Sequence, residues 1–175
     1  MTDTMVRMGE LAASRTAGHT LVTLGLGSCI GLALLDRRTG VAGLAHVVLP
    51  DSGGHTEVNR YKFADHAVPE LINKVVAHGG RRPMLEAVLV GGASMFAAIG
   101  GSMEVGARNE AAVKAQLATA RIRVHASATG GSRGRTVRVD PKTGIVLVRE
   151  AGGKDGQLFP PVSTKLPTRT LQEVA

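Results

Sequence analysis

The stretch IGLALLDRRTGVAGLAHVVL, residues 30–49, decides the fold. Ile30 to Leu35 is apolar without interruption, and so is Val41 to Leu49 apart from His46. Between them Asp36-Arg37-Arg38-Thr39-Gly40 is polar and ends in glycine, a turn signal. Two short apolar runs around such a turn predict a β-hairpin buried on at least one face. If Arg37 opposes Gly40, Cys29 at the open end of the hairpin stands opposite Val48. His46 is then its diagonal neighbour on the same face, roughly 7–8 Å away at the backbone. A slip of one residue would put the two on opposite faces.

Outward from the hairpin, Thr4 to Ala12 alternates weakly and predicts a first strand. Thr20 to Leu24 predicts a second, which ends in the turn Gly25-Leu26-Gly27-Ser28. A polar loop opens at Pro50 and runs to about Arg60. From Tyr61 to His78 the apolar positions Ala64, Ala67, Val68, Leu71, Ile72 and Val75 recur at helical spacing, and Gly79-Gly80 supplies the stop. Leu85 to Val90 predicts a strand, and Asn109 to Ala120 a second helix with Asn109 as N-cap. Ile122 to Ala126 reads as a strand. Thr136 to Val139 and Ile145 to Arg149 form a hairpin across Asp140 to Gly144. Together these predict one α/β domain of the α+β type over residues 1–150, a layered sandwich of mostly antiparallel strands with two main helices. Residues 151–175 are rich in Gly, Pro and charge and read as an irregular C-terminal tail without a core of its own.

Hydrophobic residues make up 43% of the 175 and aromatic residues only 2%, so the core must be aliphatic. The formal charge of +7 fits a solvated basic surface and equally an acidic protein partner. Nucleic acid is a poor candidate, because single-strand binders need aromatic stacking platforms that this chain lacks. No run approaches the roughly 18 apolar residues of a membrane span, and Met1 to Glu10 has no apolar signal segment, so a cytoplasmic location without membrane insertion is expected. A single cysteine excludes an internal disulfide. Asp51, His55 and Glu57 could join His46 around a metal ion, but loop polarity explains them more simply, and neither metal nor cofactor is expected.

A lone cysteine is ordinarily a small hydrophobe. Here it follows a glycine-punctuated turn, where backbone N–H groups can converge on a developing oxyanion; Gly27 and Ser28 are the candidates beside it. An imidazole brought against the thiol lowers its pKa and makes a nucleophile of it, which is the role His46 could take. Thr23 could orient that imidazole, although strand packing alone would explain a β-branched residue there.

Five blocks bear on the same question. Thr23-Leu24-Gly25-Leu26-Gly27-Ser28-Cys29, Ala45-His46-Val47-Val48-Leu49-Pro50-Asp51-Ser52, Gly91-Gly92-Ala93-Ser94-Met95-Phe96, Gly106-Ala107-Arg108-Asn109 and Thr129-Gly130-Gly131 occur in this order. The set closely resembles the chemoreceptor glutamine deamidase family, CheD, over roughly residues 5–150. The resemblance implies a Thr–Cys–His triad of Thr23, Cys29 and His46 and an α/β sandwich. It implies deamidation of glutamines in the cytoplasmic region of methyl-accepting chemoreceptors, for some members receptor methyl-ester hydrolysis too, and regulation by a CheC-type phosphatase. Gly91 to Phe96 would shape the cleft or simply serve as a strand-to-helix connection that needs small residues, with Ser94 a polar candidate near it. The alternative is a regulatory binding module for such a phosphatase, in which catalysis is secondary.

Overall fold

The computed structural model describes residues 1–55, 59–94 and 102–163. Ten strands and two helices follow one another as β1 (Thr2–Met5), β2 (Leu11–Ser14), β3 (His19–Leu26), β4 (Ile30–Asp36), β5 (Val41–Val47), α1 (Ala64–Ala77), β6 (Glu86–Gly91) and α2 (Ser102–Thr119). After α2 come β7 (Arg123–Thr129), β8 (Arg135–Asp140), β9 (Ile145–Glu150) and β10 (Gly156–Phe159). They build two five-stranded sheets, ordered β1-β3-β8-β9-β10 and β2-β5-β4-β6-β7. Pairing is antiparallel except at β1–β3 and β6–β7, which makes both sheets mixed. The layered α+β sandwich is therefore present.

The continuous apolar runs of β4 and β5 have a simple cause. Their sheet is the middle layer and is buried on both faces, so both alternating sets of side chains must be apolar. Ile30, Leu32, Leu34, Ala45 and Val47 pack against the buried stripe of α1 and against Val113 and Leu117 of α2. Ala33, Leu35, Ala42 and Leu44 face Leu21, Val137, Val139 and Val146 of the other sheet. Each fully buried Leu contributes about 2 kcal/mol of transfer free energy. Gly43 is required where α1 crosses β5, because a Cβ there would lie 2.6 Å from Val75 Cγ2 and 2.8 Å from Leu71 Cδ1.

The hairpin register is the one expected: Ile30 pairs with Val47, Gly31 with His46 and Asp36 with Val41. The buried face of α1 is likewise the stripe read from spacing.

Three expectations need correction. Thr4 to Ala12 is two strands in different sheets, divided by a turn at Gly9, whose φ is +74°. Its weak alternation averaged over an edge strand and a strand packed on both faces, with Leu11 and Ala13 toward the helices and Ala12 toward the other sheet. Asn109 is no N-cap: α2 begins at Ser102 and encloses it, fully buried. Residues 156–159 of the expected irregular tail form β10, which pairs with β9 and buries Phe159 in the core between the sheets. Polar and glycine-rich flanks hid a strand only four residues long.

Candidate functional site

β3 lies in one sheet and β4 in the other, so the connection Gly27-Ser28-Cys29 is the corner at which the chain changes layer. Thr23 comes from β3, His46 from β5 of the opposite sheet, and Cys29 from the corner. Both Thr23 and His46 are buried polar residues inside the sandwich. The observed register places His46 beside Gly31, and hence on the face that Cys29 approaches at the end of β4.

The segment joining β1 to β2 ties these parts together. The Thr23 hydroxyl donates to the Val6 carbonyl at 2.7 Å. Because its one proton is used there, Oγ1 faces His46 Nδ1, 2.8 Å away, as an acceptor, and Nδ1 carries the ring proton. A few residues on, the Gly9 N–H donates to the His46 carbonyl, and the His46 N–H donates to the Glu10 carbonyl, both at 3.0 Å. The imidazole is thus held through ring and backbone, and its other nitrogen, Nε2, is buried without a hydrogen-bond partner among the described residues.

Burial governs the electrostatics. It pushes the His46 imidazole below its ordinary value, against the opposing effects of the Val6 carbonyl and the Glu10 charge. It pushes the Cys29 thiol above its ordinary value, against the smaller effect of its own backbone N–H. Both shifts favour the uncharged form. The neutral thiol and the neutral imidazole are thus the favoured forms, and no hydrogen bond joins Cys29 Sγ to His46 Nε2.

The corner is held by its carbonyls. Gly27 O accepts from Ala93 N–H and Cys29 O from Gly92 N–H, each at 2.8 Å. Ser28 O accepts from the Asn109 side-chain amide at 2.9 Å. A Cβ on Gly91 would collide with the Cys29 carbonyl oxygen, and φ there is +111°, so glycine is required where β6 meets the corner. The Gly27 N–H is engaged with Gly25 O at 3.0 Å and is not free for an incoming oxyanion. Among the described residues, no carbonyl accepts from Ser28 N–H or from the N–H of Cys29.

Among the described residues the Ser94 hydroxyl is buried without a partner, and its N–H donates to Gly131 O at 2.8 Å. Met95, Phe96 and Glu57 lie outside the described residues. Asp51 and His55 are exposed. Val6 and Asn109 were not singled out as site residues by the sequence, whereas Gly92 and Ala93 fall in the segment expected to shape the cleft. The one available signal was an Asn four residues before Val113 and eight before Leu117, on the apolar stripe of its helix.

Residues 48–150 match the family model described as CheD chemotactic sensory transduction. The chain is 44% identical over 149 residues to a Thermotoga maritima protein named chemoreceptor glutamine deamidase CheD, covering 85% of this chain and 92% of that relative. A Halalkalibacterium halodurans protein of the same name is 44% identical over 138 residues, covering 77% of this chain and 85% of the relative. No helix among the described residues is long and apolar enough to cross a membrane. On the extent of these matches, the chain belongs to the CheD family.

Proposed function

We propose that this protein is a chemoreceptor glutamine deamidase in which Cys29 is the nucleophile, His46 the general base and acid, and Thr23 the residue that orients the imidazole. The observation that carries the reading is the Thr23–His46 hydrogen bond. With the proton on Nδ1, the lone pair sits on Nε2, which is buried and has no hydrogen-bond partner among the described residues.

His46 Nε2 takes the thiol proton as Cys29 Sγ attacks the side-chain carbonyl carbon of a glutamine. The tetrahedral oxyanion is met by the N–H groups of Ser28 and Cys29, while the loop carbonyls are held by Gly92, Ala93 and Asn109. Collapse expels ammonia, which receives the proton from His46, and leaves a thioester on Cys29. His46 then deprotonates a water that attacks the thioester, and glutamate is released as the thiol re-forms. A receptor methyl ester passes through the same acyl-enzyme with methanol leaving in place of ammonia.

The substrate class follows from the names of the relatives, chemoreceptor deamidases. With the cytoplasmic region of a chemoreceptor as its substrate, the enzyme would work in the cytoplasm. The net charge of +7 suits an acidic helical substrate. Exposed Leu24, next to Thr23, and exposed Leu49, three residues beyond His46, add apolar contact area. A CheC-type phosphatase is proposed as a regulatory partner. Ammonia release from receptor cytoplasmic fragments tests the proposal. It must vanish in Cys29→Ala while binding to the fragment persists; release that survives in Cys29→Ala would remove Cys29 as nucleophile, and binding without release by the wild type would favour the binding module.

A further inference from the structure

Asn109 stands in the interior of α2, fully buried, on the stripe that also carries Val113 and Leu117. Asparagine is a poor helix former and costly to desolvate, so the position needs a reason. Its side-chain nitrogen donates twice, to Ser28 O and to Val48 O, each at 2.9 Å. Two carbonyl acceptors fix the orientation of the amide, since only the nitrogen end can satisfy both. Those carbonyls belong to the two chain segments that matter to the site. Ser28 precedes the nucleophile, and Val48 leaves the strand that carries His46.

The helix is shaped to reach them. A Cβ on Gly106, one turn before Asn109, would lie 2.6 Å from Gly92 O and 2.8 Å from Ala93 O. Glycine at 106 therefore lets α2 approach the same residues whose N–H groups hold the Cys29 corner. Asn109 Oδ1 is left buried without a partner among the described residues, so the side chain is placed for its two donations and not for its acceptor.

We propose that Asn109 is a positioning residue of the deamidase. Its single amide nitrogen clamps the Cys29 corner to the end of the His46 strand and so sets the separation of thiol and imidazole. This rests on the reading of Cys29 and His46 as nucleophile and base. Asn109 does not touch substrate; it acts through the backbone on either side.

The test uses the full chain with Asn109→Ala, the isosteric Asn109→Asp, and Val113→Ala as a packing control one turn further along α2. Deamidation of receptor cytoplasmic fragments is measured as kcat and KM beside the melting temperature. A misplacement of about 1 Å can cost a hundredfold, so kcat should fall about tenfold to a hundredfold in both Asn109 variants with KM nearly unchanged. Val113→Ala should lower the melting temperature at least as far without that loss of kcat.

Alkylation by iodoacetamide reads Cys29 alone, as the only cysteine, and needs no substrate. Loosening the corner should move its pH midpoint down toward that of an ordinary thiol in the Asn109 variants only. If wild type fails to deamidate, the deamidase reading falls while the alkylation shift still judges the clamp. An unchanged midpoint, a kcat loss matched by Val113→Ala, or failure of both Asn109 variants to fold overturns the proposal.

Discussion

Thr23 Oγ1 lies 2.8 Å from His46 Nδ1 while its own proton goes to the Val6 carbonyl, so one hydroxyl joins the two sheets and selects the imidazole tautomer. Thr23→Val keeps the shape and removes the hydroxyl. It leaves Nδ1–H and the Val6 carbonyl without this partner. With the base disoriented, kcat should drop by about a hundredfold at least, the scale of one general-base contribution. Thr23→Ser should recover most of that loss. An unimpaired Thr23→Val enzyme would assign the residue to packing.

The pH dependence follows from burial. His46 is pushed below 6.5, so the acid limb of kcat/KM should lie below pH 6.5. Its contribution to stability has the same sense: the unfolded state binds the proton first, so stability is fully present above pH 6.5 and is lost as pH falls through the lower folded value. Cys29 is raised above 9.0, so iodoacetamide should react with the free protein on a limb that climbs past pH 9. A rate already level at pH 7 would reveal a preformed thiolate and contradict the neutral resting pair.

Asp36 closes the β4–β5 turn at the opposite end of the hairpin from Cys29. Burial would raise its carboxyl, but hydrogen bonds from Arg81 and Thr39 outweigh that and hold it at about 2. The ionised form therefore adds stability that is present above pH 3.8 and lost as pH falls through about 2. Asp36→Asn should cost on the order of 2 kcal/mol at pH 7. Urea unfolding should show the penalty shrinking toward pH 2, with kcat unchanged at neutral pH. A penalty equal at pH 7 and pH 2 would remove the charge from the explanation.

Phe159 tests the C-terminal strand. It is 3% exposed, lies edge-on to His125 with ring centres 5.9 Å apart, and has the Arg37 guanidinium 5.0 Å from its ring. Phe159→Ala should destabilise by about 3–5 kcal/mol, and cutting the chain after residue 155 by at least as much. Thermal unfolding measures both. A melting temperature that survives the cut would make β10 an ornament of the edge.

The hairpin and its register were legible because β4 and β5 are buried on both faces and their turn is short, which leaves little freedom for slippage. The face of α1 was legible for a similar reason: six apolar residues keep helical spacing between a polar loop and a glycine stop. What escaped has local causes. At Gly9 the chain passes from one sheet to the other within a few residues, and alternation cannot register a change of layer. Asn109 looked like a cap because Asn is favoured there, yet its partners are 81 and 61 residues away along the chain. Of the site, the diagonal placement of Cys29 and His46 could be argued from register. The Val6 carbonyl that leaves Thr23 an acceptor could not, since it depends on how the chain beyond β1 runs on beside β3.

The central claim is tested most directly by mass spectrometry of receptor cytoplasmic fragments incubated with wild-type protein and with Cys29→Ala. Conversion of specific glutamines to glutamate by the wild type, absent from the Cys29→Ala sample, is the predicted result. Glutamines left intact by both proteins on every receptor fragment, or converted equally by both, would contradict it.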